Sequence, residues 1–454
     1  MKTAIFLIAI AALGCAGHSD RMQPVRNALD TQSPREALNR INEELDVDRS
    51  EDLPEDLAED DAALLLLDRA MLLQQLGYYK LSSRDLEVCD KQIQTLDFSR
   101  NAVDDIGRYM FSDDSGPYKA PAYEKLFINT INMVNYLVGR DLNGARIEAR
   151  RLAVMQSYIK QSENPAVAML GPGSYLAGFT FEKSGRADEA MRYYDEALTY
   201  GEYPSLHEPI RRLAEKTAYR SPRITRILEA TPRQEKPEQD DSAEQDDSAE
   251  QDDSAELLVV MSFGRVPIKI AKRVPIGLAL TYAATYMGPA DHARANHLAA
   301  QGLVTWVNYP ELGRPRGTWD TPGFALNGEW QRLEGAVAID LEARRAWDEA
   351  KGAVVAAAIT RLVTRIVAGE AVRRSTNDNL LGILLSLGTQ ATMTALDTPD
   401  TRSWELLPAR MAFGRMRLAP GKYWVDLEAR GTRKRVEVTL PPKSFQVLNL
   451  TALF

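Results

Sequence analysis

Ser157 and Lys160 are spaced as in the SxxK motif, in which a lysine amine activates a serine hydroxyl as a nucleophile. The companion motifs SDN and KTG are missing, and the segment belongs to a helical repeat, so chance explains the match better. His292 and His297, a close histidine pair, would lie about 140° apart around a helix of 3.6 residues per turn. They could not share a metal ion without other ligands. We therefore expect no catalytic residue, no cofactor and no metal site.

Cys15 is the residue whose surroundings indicate chemistry most clearly. Lys2 precedes an apolar run, Ala4 to Leu13, that is too short to cross a bilayer as a helix and is typical of an export signal. The sequence Ala12-Leu13-Gly14-Cys15 resembles the bacterial lipobox, in which the cysteine thiol takes a diacylglycerol before cleavage. We expect residues 1–14 to be a lipoprotein signal peptide and Cys15 to carry the lipid. An ordinary signal peptide with an incidental cysteine is the alternative.

The residue after the cysteine bears on location. Ala16 follows Cys15, and in enteric bacteria a residue other than aspartate at this position permits transfer to the outer membrane. The expected location is therefore the periplasmic face of the outer membrane, with the inner membrane left open. The membrane itself is therefore an expected partner, and the protein would bind it through the lipid on Cys15.

Charge and cysteine content narrow the class of protein further. The formal net charge is -9, and residues 231–256 hold eleven acidic residues against Arg233 and Lys236. The rest of the chain is therefore neutral, without the basic patch that nucleic acid binding requires. The same stretch contains EQDDSA three times in tandem and predicts a disordered acidic linker. Cys89 is the remaining cysteine, so no internal disulfide can form once Cys15 is acylated.

The residues before the linker follow the 3.6-residue period of amphipathic helices. From Gly171 to Pro204, two helices separated by Gly185 carry small residues where they would meet, which matches the tetratricopeptide (TPR) pattern. Ser174 is expected to cap the first helix after a Pro-Gly turn. Two weaker copies precede it, with turns at Gly77 and at residues 139–144. We predict a TPR-like solenoid of helical hairpins over residues 33–230, preceded by a tether at 15–32.

In residues 257–454 the sequence pattern changes and predicts strands mixed with helices. ELLVVMSFG and RVPIKIA would form two strands joined by a turn at Gly264, and GLVTWVNYP a third. Helices are expected at 329–374 and about 379–396, followed by four strands, three of which alternate apolar and polar residues. The predicted fold class is mainly α: the solenoid, followed by a smaller α+β domain with an antiparallel sheet.

The sequence PDTRSWELLP contains the polar cluster Asp400, Arg402 and Trp404. These residues could form a recognition corner with an exposed indole. Alternatively, an ion pair under a packed indole could fix the last sheet against the helices, and we favour this structural role. As candidate partner-binding residues we assign this cluster together with Tyr175 and Phe179 of the third hairpin.

Several of these segments together resemble one family of bacterial lipoproteins. They are the lipobox, ARIEARRL at 145–152, LLVVMSFGRVP, the Ala- and Arg-rich stretch at 356–365, and DTRSWxxLP followed by LAPGKYWV. The family is a largely uncharacterised group with TPR-like repeats, in some genomes encoded beside a penicillin-binding-protein activator lipoprotein. The EQDDSA repeats depart from its pattern. The resemblance brings no catalytic residues and implies a role in the cell envelope.

We expect a non-catalytic envelope scaffold whose helical repeats offer a groove to a protein or peptide partner, for assembly of envelope or peptidoglycan machinery. Two alternatives remain. The first is an enzyme acting on cell wall or lipid, with a deep pocket formed by residues 259–308 and 400–449. The second is a structural lipoprotein that forms homo-oligomers.

Overall fold

The computed structural model describes residues 17–57, 61–98, 118, 120–161, 165–230, 253–319, 322–375 and 398–454. Cys15, most of the EQDDSA repeats and the helix expected at 379–396 lie outside these residues. The chain is mainly helical up to residue 230 and forms an α+β region with largely antiparallel strands after residue 253, as the sequence predicts. No helix in the described ranges is long and apolar enough to span a membrane.

The longer N-terminal helices pair as hairpins, α4 with α5, α6 with α7 and α8 with α9. The helices are α1 His18–Arg21, α2 Gln23–Asp30, α3 Pro34–Glu44, α4 Ala62–Gln75, α5 Tyr79–Phe98, α6 Ala122–Val138, α7 Leu142–Gln161, α8 Leu170–Lys183, α9 Ala187–Tyr200, α10 His207–Ala214 and α11 Pro222–Glu229. Gly77 and Gly185 end α4 and α8 with positive φ angles of 84° and 74°, a conformation that glycine adopts without steric cost.

Small residues allow the two helices of a hairpin to approach each other. A Cβ atom built on Gly178 would lie 2.3 Å from Cδ1 of Tyr194 on the next helix, and one on Gly144 would lie 2.3 Å from Cδ1 of Tyr136. These contacts agree with the prediction that small residues lie where the helices of a hairpin meet. Cys89 is completely buried on α5, as expected for a small packing residue.

The first turn of α8 differs from the prediction. The helix begins at Leu170, so Ser174 is buried inside it and does not cap its start. Pro172 is tolerated because the first-turn backbone N–H groups of a helix have no partner within the helix. The Pro-Gly pair therefore lies in the first turn of this helix, whereas a turn before the helix was predicted.

Residues 17–30 are folded, which corrects the predicted tether over 15–32. Met22, Val25 and Leu29 of this segment are completely buried. The backbone N–H of Ser19 donates a hydrogen bond to Oγ1 of Thr401, at 3.2 Å. The prediction was wrong because the residues that cover α1 and α2 come from the other end of the chain and leave no trace in the local sequence.

The described strands form three sheets, with the orders β10-β1-β7-β6, β2-β3 and β5-β4-β8-β9. The strands are β1 Ala255–Phe263, β2 Lys269–Pro275, β3 Trp306–Leu312, β4 Gly323–Leu326, β5 Glu329–Gln331, β6 Glu334–Ala338, β7 Arg410–Leu418, β8 Gly421–Ala429, β9 Thr432–Leu440 and β10 Phe445–Ala452. Strand β1 lies between β10, which is parallel to it, and β7, which is antiparallel. The helices of this region are α12 Ile276–Ala283, α13 Pro289–Ala300 and α14 Ile339–Ser375.

Two local predictions in this region are wrong. Strand β2 pairs with β3 and not with β1, because the chain turns away at Gly264, where φ is 68°. Residues 329–338 form β5 and β6, and the long helix begins only at Ile339. The partners of β2 and β6, which are β3 and β7, lie further along the sequence, so local periodicity could not identify them. Strand β5 pairs with β4 across the adjacent Asn327-Gly328 turn, a hairpin signal that the sequence does carry.

One hydrophobic cluster joins the two halves of the chain. It contains the buried faces of the hairpin helices together with Leu258 and Val260 of β1, Phe413 of β7 and Val447 of β10. Two smaller clusters lie under the other sheets, one between α12–α14 and β2–β3, the other between the first and third sheets. The predicted solenoid and α+β domain therefore share a core.

Candidate functional site

The third helical hairpin packs directly on the first sheet. Tyr175 and Phe179 on α8 are completely buried. The ring of Tyr175 stacks on that of Phe413, with centroids 4.5 Å apart, and Phe179 meets Phe445 edge to face at 5.6 Å. Both residues were predicted to bind a partner, and this prediction is wrong because the chain's own sheet covers them.

A buried ion cluster lies beside these rings, with Arg415 of β7 at its centre. The Arg415 side chain is 2% exposed, and its Nη2 is 2.7 Å from Oε2 of Glu182. Its Nε is 2.5 Å from Oε1 of Glu256 on β1, and its Nη1 is 2.8 Å from the Tyr194 hydroxyl. Lys183 pairs with both carboxylates. Residues from α8, α9, β1 and β7 thus meet at one point, and the ion pairs join helices to sheet.

The charges of this cluster fix its protonation state. Burial alone would raise the pKa of Glu182, but the charges of Arg415 and Lys183 outweigh it and lower the pKa below its usual range. The pKa of Glu256 is lowered in the same way, against the effect of burial. Both carboxylates are therefore ionised near neutral pH, which suits ion pairing and does not suit a general acid.

The ion cluster forms the floor of a cleft of about 490 Å³ between the helices and the sheet. Lys183, Arg212, Lys216, Arg417 and Lys443 line it, together with Glu182, Glu256 and the start of β1. A smaller hollow of about 320 Å³ next to it shares Glu256 and Arg417 with the cleft. Most of this lining lies outside the segments 259–308 and 400–449, in which we expected an enzymatic pocket. The cleft is therefore a different site from the one considered for an enzyme.

The predicted polar cluster of Asp400, Arg402 and Trp404 is arranged as expected for a structural role, with an ion pair and a buried indole. Nε of Arg402 is 2.8 Å from Oδ1 of Asp400, and its Nη1 is 3.1 Å from Oδ1 of Asp61, which precedes α4. The Trp404 side chain is completely buried, and its backbone N–H donates to Oε1 of Glu124 at 3.3 Å. The prediction of a recognition corner with an exposed indole is wrong, and the favoured alternative is confirmed.

The residues after Trp404 continue the attachment of this loop to the helices. The backbone N–H of Leu406 donates to Oδ1 of Asp68 at 2.7 Å, and Glu405 pairs with Arg26 of α2. Burial raises the pKa of Glu405 to about 7, although Arg26 acts in the opposite direction. The motif therefore connects α2, α4 and α6 to the strand β7 that follows it.

The exposed aromatic residues of the third sheet were not predicted from the sequence. Trp330 on β5 and Trp424 on β8 are 64% and 46% exposed. Trp330 on β5 pairs with Ala325 on β4, and Ala325 pairs in turn with Asp426 on β8. Asp426 is two residues after Trp424 on the same strand. Since opposite residues and residues two apart share a face, both indoles project from the outer face of this sheet. The alternation in KYWVDLEA placed Trp424 on the polar face and could have revealed it.

The histidine pair and the SxxK residues were also singled out in the sequence, and each has a simple local contact. His292 and His297 each contact an amide side chain one turn away, Asn296 and Gln301, on the exposed side of α13. Ser157 is exposed, and Lys160 pairs with Glu196 at 2.9 Å. No group of three metal-binding side chains occurs among the residues that the structure describes.

Comparison with protein-family models, with curated proteins and with solved structures gave no match.

Proposed function

We propose that the chain is a membrane-anchored lipoprotein of the cell envelope that acts as a non-catalytic scaffold for protein–protein interaction. The observation that carries this proposal is the pair of exposed indoles, Trp330 and Trp424, on the outer face of the third sheet. The partner surface is placed there because the predicted residues of the hairpin are covered.

The composition of this face is that of an interaction surface. Arg435 lies over the ring of Trp424, with its Cζ 5.1 Å from the centroid, and pairs with Asp426 at 3.5 Å. Arg433 pairs with Glu428 at 3.0 Å on the same face. Tryptophan and arginine are enriched at the energetic centres of protein interfaces, and exposed ion pairs suit their polar rim. On the opposite face of the sheet, Val425 and Leu427 lie in the hydrophobic core. The fold therefore does not require apolar residues on the outer face.

Anchoring through Cys15 is the second part of the proposal, and it rests on the sequence Ala12-Leu13-Gly14-Cys15. Its test is metabolic labelling with a palmitate analogue in a bacterial host. The wild-type chain is expected to be labelled and to fractionate with the outer membrane, whereas Cys15→Ser is expected to lose both properties. An equally labelled Cys15→Ser chain would refute the anchor.

The scaffold is tested by site-specific photo-crosslinking in living cells. A photoreactive phenylalanine analogue replaces Trp330 or Trp424 in the full-length chain, and the control position is Val154, which is 73% exposed on α7. We expect the sheet positions to give a discrete adduct with an envelope protein that Val154 does not give. Absence of an adduct at both sheet positions, or the same adducts at Val154, would contradict the proposed surface.

Oligomerisation is separated from scaffolding by the mass of the adduct. An adduct of twice the mass of the chain, containing only its own peptides, would indicate the homo-oligomeric alternative. An adduct that contains a second protein supports the scaffold.

A further inference from the structure

The cleft above the Arg415 cluster has an excess of positive charge. Its described lining contains five cationic side chains, Lys183, Arg212, Lys216, Arg417 and Lys443, against the two carboxylates Glu182 and Glu256. Arg415 binds both carboxylates, and Glu208 and Asp253 pair with Arg417 and Lys443 at the rim, so these ten side chains together carry a net charge of +2. Because the wall of a cleft has a low dielectric constant, this excess concentrates positive potential in the space between the helices and the sheet.

The two carboxylates of the cleft are already neutralised at its floor. Glu182 and Glu256 are 9% and 5% exposed, and both bind Arg415 and Lys183. They therefore contribute little negative potential to the open part of the cleft.

The cations at the rim make weaker contacts. Arg212 and Arg417 share one oxygen of Glu208, at 3.0 Å and 3.2 Å, and the Glu208 side chain is 48% exposed. Arg212 is also 3.4 Å from Glu182 and 3.6 Å from Glu256, and Arg417 donates to the Ser254 hydroxyl. Lys443 is 3.6 Å from Asp253, and both side chains are more than half exposed. Lys216 has no ion-pair partner among the described residues and is exposed. Exposed ion pairs contribute little free energy, so an incoming anion can replace Glu208 or Asp253.

The side chains around the opening suit a phosphate group. Arg417 and Arg212 present planar guanidinium forks, which match the oxygens of a phosphate, and Lys216 and Lys443 add point charges. The volume of about 490 Å³ lies in the range of small-molecule sites, about 300–1,000 Å³, and exceeds the need of a single inorganic ion.

We propose that this cleft binds a small phosphate-bearing ligand, held by Arg212, Lys216, Arg417 and Lys443. The phosphate can belong to a soluble phosphate ester or to the head group of a phospholipid. The site lies on the junction of hairpin and sheet, away from the tryptophan face, so it is independent of the proposed scaffold function.

The test is isothermal titration of the full-length protein at constant ionic strength and pH 7.5, with two probes. The first is glycerol 3-phosphate, and the second is a short-chain phosphatidylglycerol below its critical micelle concentration. Saturable binding of either probe supports the site, and the probe that binds more tightly identifies the source of the phosphate. Absence of saturable binding for both probes would overturn the proposal.

Variants locate the binding site. We expect Lys216→Gln with Arg417→Gln to weaken binding at least tenfold, because two of the four rim charges are lost. The matched control is Lys422→Gln with Arg433→Gln, which removes the same charges from the third sheet, where the two side chains are 72% and 78% exposed. This control should bind as the wild type does. Equal affinity of the cleft variant and the wild type, or equal weakening in the control, would place the ligand elsewhere.

A folding control accompanies these titrations. The circular dichroism spectrum and melting temperature of the cleft variant should match those of the wild type, because Lys216 and Arg417 are exposed. If the double variant is destabilised, Lys443→Gln alone is measured instead, since its side chain is 57% exposed, and it should weaken binding about threefold or more. Unchanged affinity in Lys443→Gln would then count against the proposal.

Discussion

Replacing Arg415 with methionine should destabilise the protein strongly. The substitution keeps most of the side-chain volume but leaves Glu182 and Glu256 with two remaining close cations, the buried Lys183 and the more exposed Arg212. Removing one partner of a buried ion pair typically costs about 3–5 kcal/mol, because the other charge stays buried without compensation. Since Lys183 still neutralises one carboxylate, we expect a loss of about 3 kcal/mol in the free energy of unfolding.

The assay is urea unfolding at pH 7.5, followed by circular dichroism, with the midpoint and slope fitted together. The matched control is Arg433→Met, which removes an arginine that is 78% exposed and pairs with Glu428 on the third sheet. An exposed pair contributes about 0–1 kcal/mol, so this control should remain close to the wild type. A loss below about 1 kcal/mol for Arg415→Met would refute the structural role of the cluster.

The pH dependence of the same variant tests the cause. In the wild type the pKa values of Glu182 and Glu256 are lowered, so their contribution to stability is present above the unfolded pKa of about 4.5. It is lost as the pH falls through the lowered folded values. Without Arg415, burial should raise these pKa values, and stability should then fall as the pH rises above about 4.5. Adding Glu182→Gln to Arg415→Met should therefore recover at least about 1 kcal/mol at pH 7.5 and little at pH 5, and an equal change at both pH values would contradict this account.

Three further substitutions test the packing and the protonation of the core. Gly178→Ala should cost about 1–3 kcal/mol in urea unfolding because its Cβ would lie 2.3 Å from Tyr194, whereas Gly139→Ala, with its nearest contact at 3.5 Å, should cost less than 1 kcal/mol. Trp404→Ala should cost about 3–5 kcal/mol because the indole is completely buried, and a cost near zero in the same assay would show that the loop is not held there. Burial raises the pKa of Glu148 to about 7. Between pH 4.5 and 7.5 the free energy of unfolding of the wild type should therefore fall by about 3 kcal/mol relative to that of Glu148→Gln. The control is Glu36→Gln, because Glu36 is exposed.

The sequence predicts the helical hairpins well because the information for them is local. The small residues that meet at a hairpin lie within about twenty positions of their aromatic partners, as with Gly178 and Tyr194. Gly77 and Gly185 mark the turns through their own conformational freedom. Each of these features acts within a single repeat, so periodicity and composition reveal it.

The sheet could be predicted strand by strand but not as a whole. The alternation of β8 and β9 is visible in the sequence, yet β10 lies parallel to β1, whose residues are almost 190 positions earlier, as in the pair Val259 and Leu448. A strand that is buried on both faces gives no pattern that identifies its neighbours. The covering of Tyr175 by Phe413 follows from this long-range pairing and was therefore missed.

The Arg415 cluster was hidden for the same reason. Glu182, Glu256 and Arg415 come from three separate segments, and each looks like an ordinary surface charge in its own sequence context. Their burial becomes visible only when the sheet lies on the hairpin. The cleft is likewise assembled from residues between Glu182 and Ser444 and has no local motif.

The folded start of the chain links the proposed anchor to the DTRSW motif. Gly17 begins the described N-terminal segment, and the backbone N–H of Ser19 is bound to Thr401. Cys15 lies two residues before Gly17 in the sequence, so the proposed lipid would be joined to this end of the chain. The ion pairs of Arg21 with Asp61 and of Arg26 with Glu405 hold this segment to the core. This arrangement accounts for a polar motif that is buried in the protein.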